Sequence, residues 1–342
     1  MAQTNPQLSA LLSHRLGFWL RSTALSSGSA TDIWADRVQS VEPTGTHNST
    51  DYYELGRVDK VGNTLDPTTY RIQLEENLHN GEIDMTLAGI SPTTGSGFWA
   101  GDMVRQTNTG YVVARNDADA VFQEIAFGGL RVSEVQYKFV MNGACTASYT
   151  LEGTSGSYYH TASSYPHPLW GAYDTTSAGA VHGKDARVAF GTTNTAGNKG
   201  YRLQSFTIRV QFPLQTVKEL GNRQIVGQLV DSPNVTVDFD LNPADQQPHD
   251  IFFPVSNDDG VAKLALGQPQ TTNVFINLYD PALAEYASVI KSWKLENMRP
   301  TSNSPMQGRV RSLTTSRWSM TNVSVTTAGS GGVIVSKTEI AS

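Results

Sequence analysis

Apolar side chains in this chain recur mainly at every second position, in short runs separated by clusters of Gly, Pro, Asn, Asp, Ser and Thr. A period of two puts successive side chains on opposite faces and predicts half-buried β-strands. Tyr70-Arg71-Ile72-Gln73-Leu74-Glu75 and Val235-Thr236-Val237-Asp238-Phe239-Asp240 are the clearest cases. Strands are also expected over 130–140, over 145–151 after a turn at Asn142-Gly143, and over 293–298 and 316–325. Two segments fit a helical period instead. Asn116-Asp117 stands where it would cap a helix carrying Val121, Phe122, Ile125 and Ala126, stopped by Gly128-Gly129. Asp280-Pro281 would start a second, carrying Leu283, Tyr286, Ala287 and Ile290. Near the N-terminus Leu8, Leu11, Leu12 and Leu16 follow Pro6 at helical spacing. They predict an apolar arm that must bury its face against its own domain or a neighbour.

The pattern occurs twice. Residues 37–75 align without a gap on residues 202–240, 165 positions later. Arg37, Gln39 and Ser40 match Arg202, Gln204 and Ser205; Glu54-Leu55-Gly56 matches Glu219-Leu220-Gly221; Val61-Gly62 matches Val226-Gly227; Asp66 matches Asp231. Nine of 39 positions are identical, where roughly one chance match in fifteen would give about two or three. The alternating runs that follow keep the same phase, and a one-residue slip would turn every apolar side chain outward. The paired glycines at 56/221 and 62/227 are expected in tight turns with positive φ. The same offset carries Val121 onto Tyr286 and Ile125 onto Ile290.

The expected fold class is therefore mainly β: two tandem copies of a β-sandwich or barrel domain, each with one short helix. The arm takes residues 1–20, the first domain 21–153, the second 201–325 and a Gly/Ser-rich tail 326–342. The stretch 154–200 is too long for a plain connector. Its aromatics, Tyr158, Tyr159, Tyr165, Trp170 and Tyr173, favour an ordered surface excursion over a flexible linker.

Composition narrows the function classes. Of 342 residues 39% are apolar and 16% charged, with a net charge of −6. This is too apolar for a disordered chain, and it gives no basic footprint for nucleic acid or anionic membrane. The single cysteine, Cys145, cannot close an intrachain disulfide. Ser13, His14 and Arg15 interrupt what would be the core of an export signal, and no run approaches the roughly 18 apolar residues of a membrane span. Synthesis and assembly in a cytoplasm are expected, with the triplets at Asn48, Asn234 and Asn322 unglycosylated.

Signals for chemistry are weak. There is no nucleophile elbow, phosphate loop, dinucleotide fingerprint or zinc-protease motif. His160, His167 and His182 are read as loop histidines rather than metal ligands. Asn257-Asp258-Asp259-Gly260 lacks the glutamate a calcium loop needs and is read as a turn. Cys145 is expected buried and inert. Glu75, Glu76, Asp238 and Asp240 recur at matching strand positions, where a solvated sheet face explains them better than acid/base catalysis. The expectation is a protein without catalytic residues, cofactor or metal.

Two runs carry a resemblance. Glu219-Leu220-Gly221, Val226-Gly227 and Asp231-Ser232-Pro233-Asn234-Val235-Thr236-Val237 form one; Tyr149-Thr150-Leu151-Glu152-Gly153 forms a closing strand. With the order of elements in each half, they make the chain resemble the major tail tube proteins of long-tailed (siphovirus-like) bacteriophages, in a form with two tandem tail-tube domains. The first half departs from the pattern, with Pro67 directly after Asp66 where the second has Ser232-Pro233. The resemblance implies a structural protein of the virion tail, assembled in the host cytoplasm. Three chains would supply six domains to a ring, and rings would stack into a hollow tube. Its implied partners are other copies of itself, the tape-measure protein and the tail-terminator and tip proteins. Genomic DNA would pass through without specific binding, and no membrane is involved. Glu75 and Asp240 are expected on the lumen-facing sheet. Ring and subunit contacts are expected from Leu8, Leu11, Leu12 and Leu16 of the arm, from Tyr52, Tyr53 and Glu54, from Lys218, Glu219 and Arg223, and from the loop 154–200. The alternative is a β-rich receptor-binding protein or adhesin using the aromatic loop on sugars; a glycan-processing enzyme with paired carboxylates is a third reading.

Overall fold

The structure is a computed structural model. It describes residues 16–22, 31–35, 38–47, 49–52, 55, 59–65, 67–78, 82–90, 97–115, 121–159, 181–191, 193–194, 203–219, 225–241, 255–256, 263–264, 271–283, 288–307, 315–322, 332–336 and 339–340. The first half holds β1 (Leu16–Ser22), β2 (Thr31–Trp34), β3 (Val38–Thr46), β4 (Ser49–Tyr52), β5 (Gly62–Leu65), β6 (Thr69–Asn77), α1 (Glu82–Leu87), β7 (Phe98–Trp99), α2 (Ala100–Arg105), β8 (Asn108–Arg115), β9 (Val121–Val140), β10 (Thr146–Gly153) and β11 (Ser155–Tyr159). The second holds β12 (Ala186–Gly191), β13 (Leu203–Gln211), β14 (Leu214–Val217), β15 (Gly227–Val230), β16 (Asn234–Leu241), β17 (Val255–Ser256), β18 (Lys263–Leu264), β19 (Thr272–Tyr279), β20 (Val289–Gln307), β21 (Thr315–Asn322) and β22 (Val333–Ser336). The fold is mainly β, as its alternating sequence requires.

The 165-residue offset recurs in the strands and their register. β3, β4 and β5 coincide end for end with β13, β14 and β15 at an offset of 165. β3 pairs with β6 from Thr46 opposite Thr69 to Ser40 opposite Glu75, with an irregularity between Ser40 and Val38. β13 pairs with β16 through the equivalent partners, Gln211 opposite Asn234 to Ser205 opposite Asp240, with the irregularity at the same place. Each module then continues in the same order, β3-β6-β10-β9-β8 in the first and β13-β16-β21-β20-β19 in the second. Register makes Arg131 the counterpart of Arg299 and Val132 that of Pro300, 168 residues apart, with a bulge after each. The outer strands correspond as well: β1 lies on β8 as β12 lies on β19, and β11 on β9 as β22 on β20.

The long strands tie two layers together. The N-terminal part of β9 pairs with β8 and β11, and its C-terminal part with β10 and β13. It turns at Gly129, φ +66°, where an added Cβ would lie 2.2 Å from Thr154 Oγ1. The counterpart in β20 is Asn297, φ 52°, the one positive-φ residue other than glycine among the described residues. Asparagine is one of the few residues that tolerate that conformation. The inner layer turns Ile72, Leu74, Tyr149, Val135, Val210 and Val237 into the core. Its opposite face is polar.

Several expectations need correction. The stretch carrying Val121, Phe122, Ile125 and Ala126 is strand, not helix: β9 begins at Val121, and Asn116 and Asp117 lie outside the described residues. Short apolar runs fit both periods, and pairing with β8 and β11 decides between them. Ile290 likewise lies in β20, Leu283 is in a turn, and Tyr286 and Ala287 fall outside the described residues. The helices of the first module are α1 and α2. Leu16 belongs to β1, so a helical arm does not run that far; Phe18, Trp19 and Leu20, placed in the arm by sequence, are fully buried core. β11 and β12 come from the stretch read as an inter-domain loop, and β22 from the tail. Gly62 and Gly227 open strands, without positive φ.

Candidate assembly surfaces

The modules meet in one continuous sheet. β13, the first inner strand of the second module, pairs with β9 of the first, from Gln211 opposite Glu134 to Ser205 opposite Val140. On the core side the Phe139 and Phe206 rings meet edge-on, centroids 6.0 Å apart. On the polar side Arg209 Nε lies 3.0 Å from Glu134 Oε1. Above this seam the outer layer of the second module covers the inner layer of the first: Trp293 packs edge-on against Tyr137 (5.3 Å) and Phe139 (5.4 Å). β7 reaches across to pair with β22.

A buried polar cluster locks the same seam. Lys291 of the second module forms a salt bridge with Asp84 of α1, both essentially without solvent exposure. Asp84 Oδ1 also accepts a hydrogen bond from the Tyr137 hydroxyl (2.8 Å), and the single Tyr149 hydroxyl proton is shared between Asp84 Oδ1 (2.7 Å) and Glu76 Oε1 (2.9 Å). The Lys291 ammonium stands 5.0 Å from the Tyr137 ring centroid and 5.1 Å from that of Trp293. Burial first, then the Asp84 charge, pushes both tyrosine hydroxyls well above their ordinary pKa, so they remain donors. Sequence reading missed this cluster. Its signal was a lysine in phase with Trp293 and Leu295 on one strand face.

The polar face runs across both modules. One row crosses Ser40, Glu75, Ser148, Gln136, Arg209, Thr236 and Thr321 to Arg299. Glu75 and Asp240, the expected lumen residues, hold equivalent positions on it and are half-buried. Asp240 accepts from Ser205 Oγ (3.0 Å) and from Arg317 Nε (3.0 Å), and its hydrogen bond and charge raise the Arg317 pKa. Acidic residues on this face, Glu42, Glu134 and Asp238 among them, alternate with Arg71, Lys138 and Arg209. A uniformly acidic wall does not describe it.

Two hairpins, β4–β5 and β14–β15, project at equivalent places. Val61 and its counterpart Val226 are 44% and 46% exposed, and Leu55, Leu229 and Val230 add further apolar surface. Val61 and Val226 are the matched pair among them. Tyr52 closes β4, and Lys218 and Glu219 follow β14, exposed. Leu8, Leu11, Leu12, Tyr53, Glu54 and Arg223 lie outside the described residues, as do His160, His167 and the turn at 257–260. Tyr158 is in β11.

Among the described residues no three His, Cys, Asp or Glu side chains group as metal ligands. His182 sits in a bridge to Ala144, its backbone N–H on Asp185. Cys145 is buried and its thiol pushed up to about 12 by burial, which keeps it protonated and inert at neutral pH. No described helix is long and apolar enough to cross a membrane.

No family model matches the sequence, and no curated protein matches it. Among solved structures, a chain of the anti-feeding prophage baseplate, 6-fold symmetrised, overlaps 43% of this chain and 94% of its own length at TM-score 0.32 and 12% identity. A chain of the anti-feeding prophage tube-terminating cap overlaps 52% of this chain and 94% of its own length at TM-score 0.30 and 14% identity.

Proposed function

We propose that this chain is a structural, non-catalytic protein of a phage-tail-like assembly, three copies of which close into a ring of six modules. Rings then stack into a hollow tail tube. The supporting observation is an edge used once and left open once. β13 is paired on both sides, with β16 and β9. Its equivalent, β3, pairs only with β6 among the described residues. The other half of the joint matches it: among the described residues, the part of β20 equivalent to the β13-binding part of β9 pairs only with β21. An open sheet edge is a template for a further strand. Joining β3 of one chain to β20 of another repeats the intrachain seam between chains. Six like seams close a ring, and the head-to-tail sense of the contact suits closure.

In this reading the polar face lines the lumen, where paired charges offer phosphates no lasting hold, and DNA passes without specific binding. The exposed hairpins, with the arm at Leu8–Leu12, carry contacts between rings. The tape-measure, terminator and tip proteins are the further partners, and the protein resides in the virion tail after assembly in the host cytoplasm. Negative-stain microscopy with native mass measurement of the concentrated chain tests this. Three-chain rings with six lobes, or tubes built from them, are expected. Monomers at every concentration would overturn it and favour a receptor-binding role.

A further inference from the structure

We infer that the hairpin β4–β5 of one chain straps the neighbouring chain, lying across the ends of its β20, β21 and β16. The inference rests on the ring proposed above. Its template is inside the chain. The hairpin β14–β15 leaves the end of β13 and passes over the edge of the first module, where Gln228 Nε2 donates to the backbone oxygen of Glu152 at 3.4 Å. Thr216 and Gln228 there enclose, with Thr44, Thr46, Tyr70 and Glu152, a hollow of about 420 Å³. One module thus holds the next by an inner-layer strand pair and a hairpin laid over the strand ends.

β4–β5 has the same length, register and place after its inner strand. Among the described residues it pairs only with itself. Strand equivalence names what it would meet. Asp51 and Asn63 stand for Thr216 and Gln228. Thr321 stands for Glu152, since each pairs with the equivalent residue of its module, Thr236 and Arg71. Arg209 stands for Thr44. Asp51 of one chain, paired on its own hairpin with Lys60, is thereby set against Arg209 of the other, itself bridged to Glu134; joining the two pairs makes an alternating charge network that the template lacks and that favours a second copy of this chain as the occupant. The exposed Val61 and Leu55 sit on the same hairpin.

Two cysteine pairs, each treated with a short bis-maleimide in assembled material, separate the strap from the ring. Thr44→Cys with Ser304→Cys reports the strand seam, because their counterparts Arg209 and Gln136 are direct partners inside the chain. Asn63→Cys with Thr321→Cys reports the strap. The expected result is covalent multimers from both pairs and from none of the single variants, Cys145 being buried. Multimers from the seam pair alone would overturn the strap and leave the ring standing. Multimers from neither, without rings in the microscope, would overturn both. Hydrogen exchange on the unaltered protein gives a second reading that no substitution disturbs. On assembly the amides of β4–β5 should slow by about tenfold or more, towards those of β14–β15. Unchanged exchange in assembled rings would refute the strap.

Discussion

Removing the ammonium of Lys291 is the sharpest perturbation of the intermodule seam. Its partner Asp84 is fully buried on α1 of the other module. Lys291→Ala would leave that carboxylate with two tyrosine hydroxyls and no counter-charge. Breaking one side of a buried ion pair costs about 3–5 kcal/mol, a large part of the roughly 5–15 kcal/mol that holds a typical domain. Asp84→Ala should cost at least as much. It strands the ammonium between the Tyr137 and Trp293 rings and takes the acceptor from Tyr137, while Tyr149 keeps Glu76; a buried donor left unsatisfied adds about 1–3 kcal/mol. The double variant Asp84→Asn with Lys291→Met removes both charges at similar volume. It should lie within about 1–2 kcal/mol of the unaltered protein, because the desolvation cost vanishes with the attraction. Urea denaturation, at a concentration where the chain is monomeric, reads all three. Trp fluorescence, to which Trp293 at the seam contributes with five other tryptophans, follows tertiary packing and far-ultraviolet circular dichroism follows the sheet. Because the pair joins the modules, the single variants should also part the two signals into separate transitions. A Lys291→Ala cost below about 1 kcal/mol, with the double variant no more stable than either single, would refute the lock.

The buried hydroxyls of Tyr137 and Tyr149 make the fold sensitive to alkali. Their folded pKa lies well above the ordinary value of 10, so the folded chain holds protons that the unfolded chain gives up. Their contribution is complete below about pH 10 and is lost as pH rises above it. Phenolate absorbance should show these two tyrosines titrating only with unfolding, and Tyr137→Phe with Tyr149→Phe should flatten the alkaline loss; an unchanged slope would count against it. On the tube reading, Glu75→Lys with Asp240→Lys should leave tubes intact and impair DNA ejection by the assembled particle, and undiminished ejection would remove these residues from the lumen.

The sequence announced the inner strands because their partners are local. In β3, β6, β13 and β16 each module keeps one spacing, 165, and a clean alternation, so both the repeat and the register could be read directly. Beyond β6 and β16 the equivalence persists in space but its spacing drifts to 168 in the long strand, through insertions in the loops, and no fixed offset could follow it. The first expected helix failed at the same long-range step. Val121 and Ile125 fit a helical stripe, Gly128-Gly129 fits a helix stop, and only the strands laid on either side of β9 make Gly129 a bend between layers. The Asp84–Lys291 pair was hidden because 207 residues separate its members.

The two kinds of seam in the proposed ring are chemically unequal, and the inequality says what the duplication achieves. Inside the chain, β13 offers Phe206, Ile208 and Val210 to the core and Arg209 to Glu134. At the equivalent positions β3 offers Val41, Pro43, Gly45 and Thr44. A proline has no N–H for a ladder and a glycine no side chain to pack, and both are characteristic of strands kept from casual pairing. In β20 the register makes Gln307 the counterpart of Lys138, and on β3 Val41 stands where β13 has Phe206. The ring-on-ring contact of the intrachain seam thus has no counterpart on the β3 side of the other. Fusion puts the strong seam within one chain, where it forms as the chain folds. The weak seam is left for assembly, where it gains strength only when several copies engage at once.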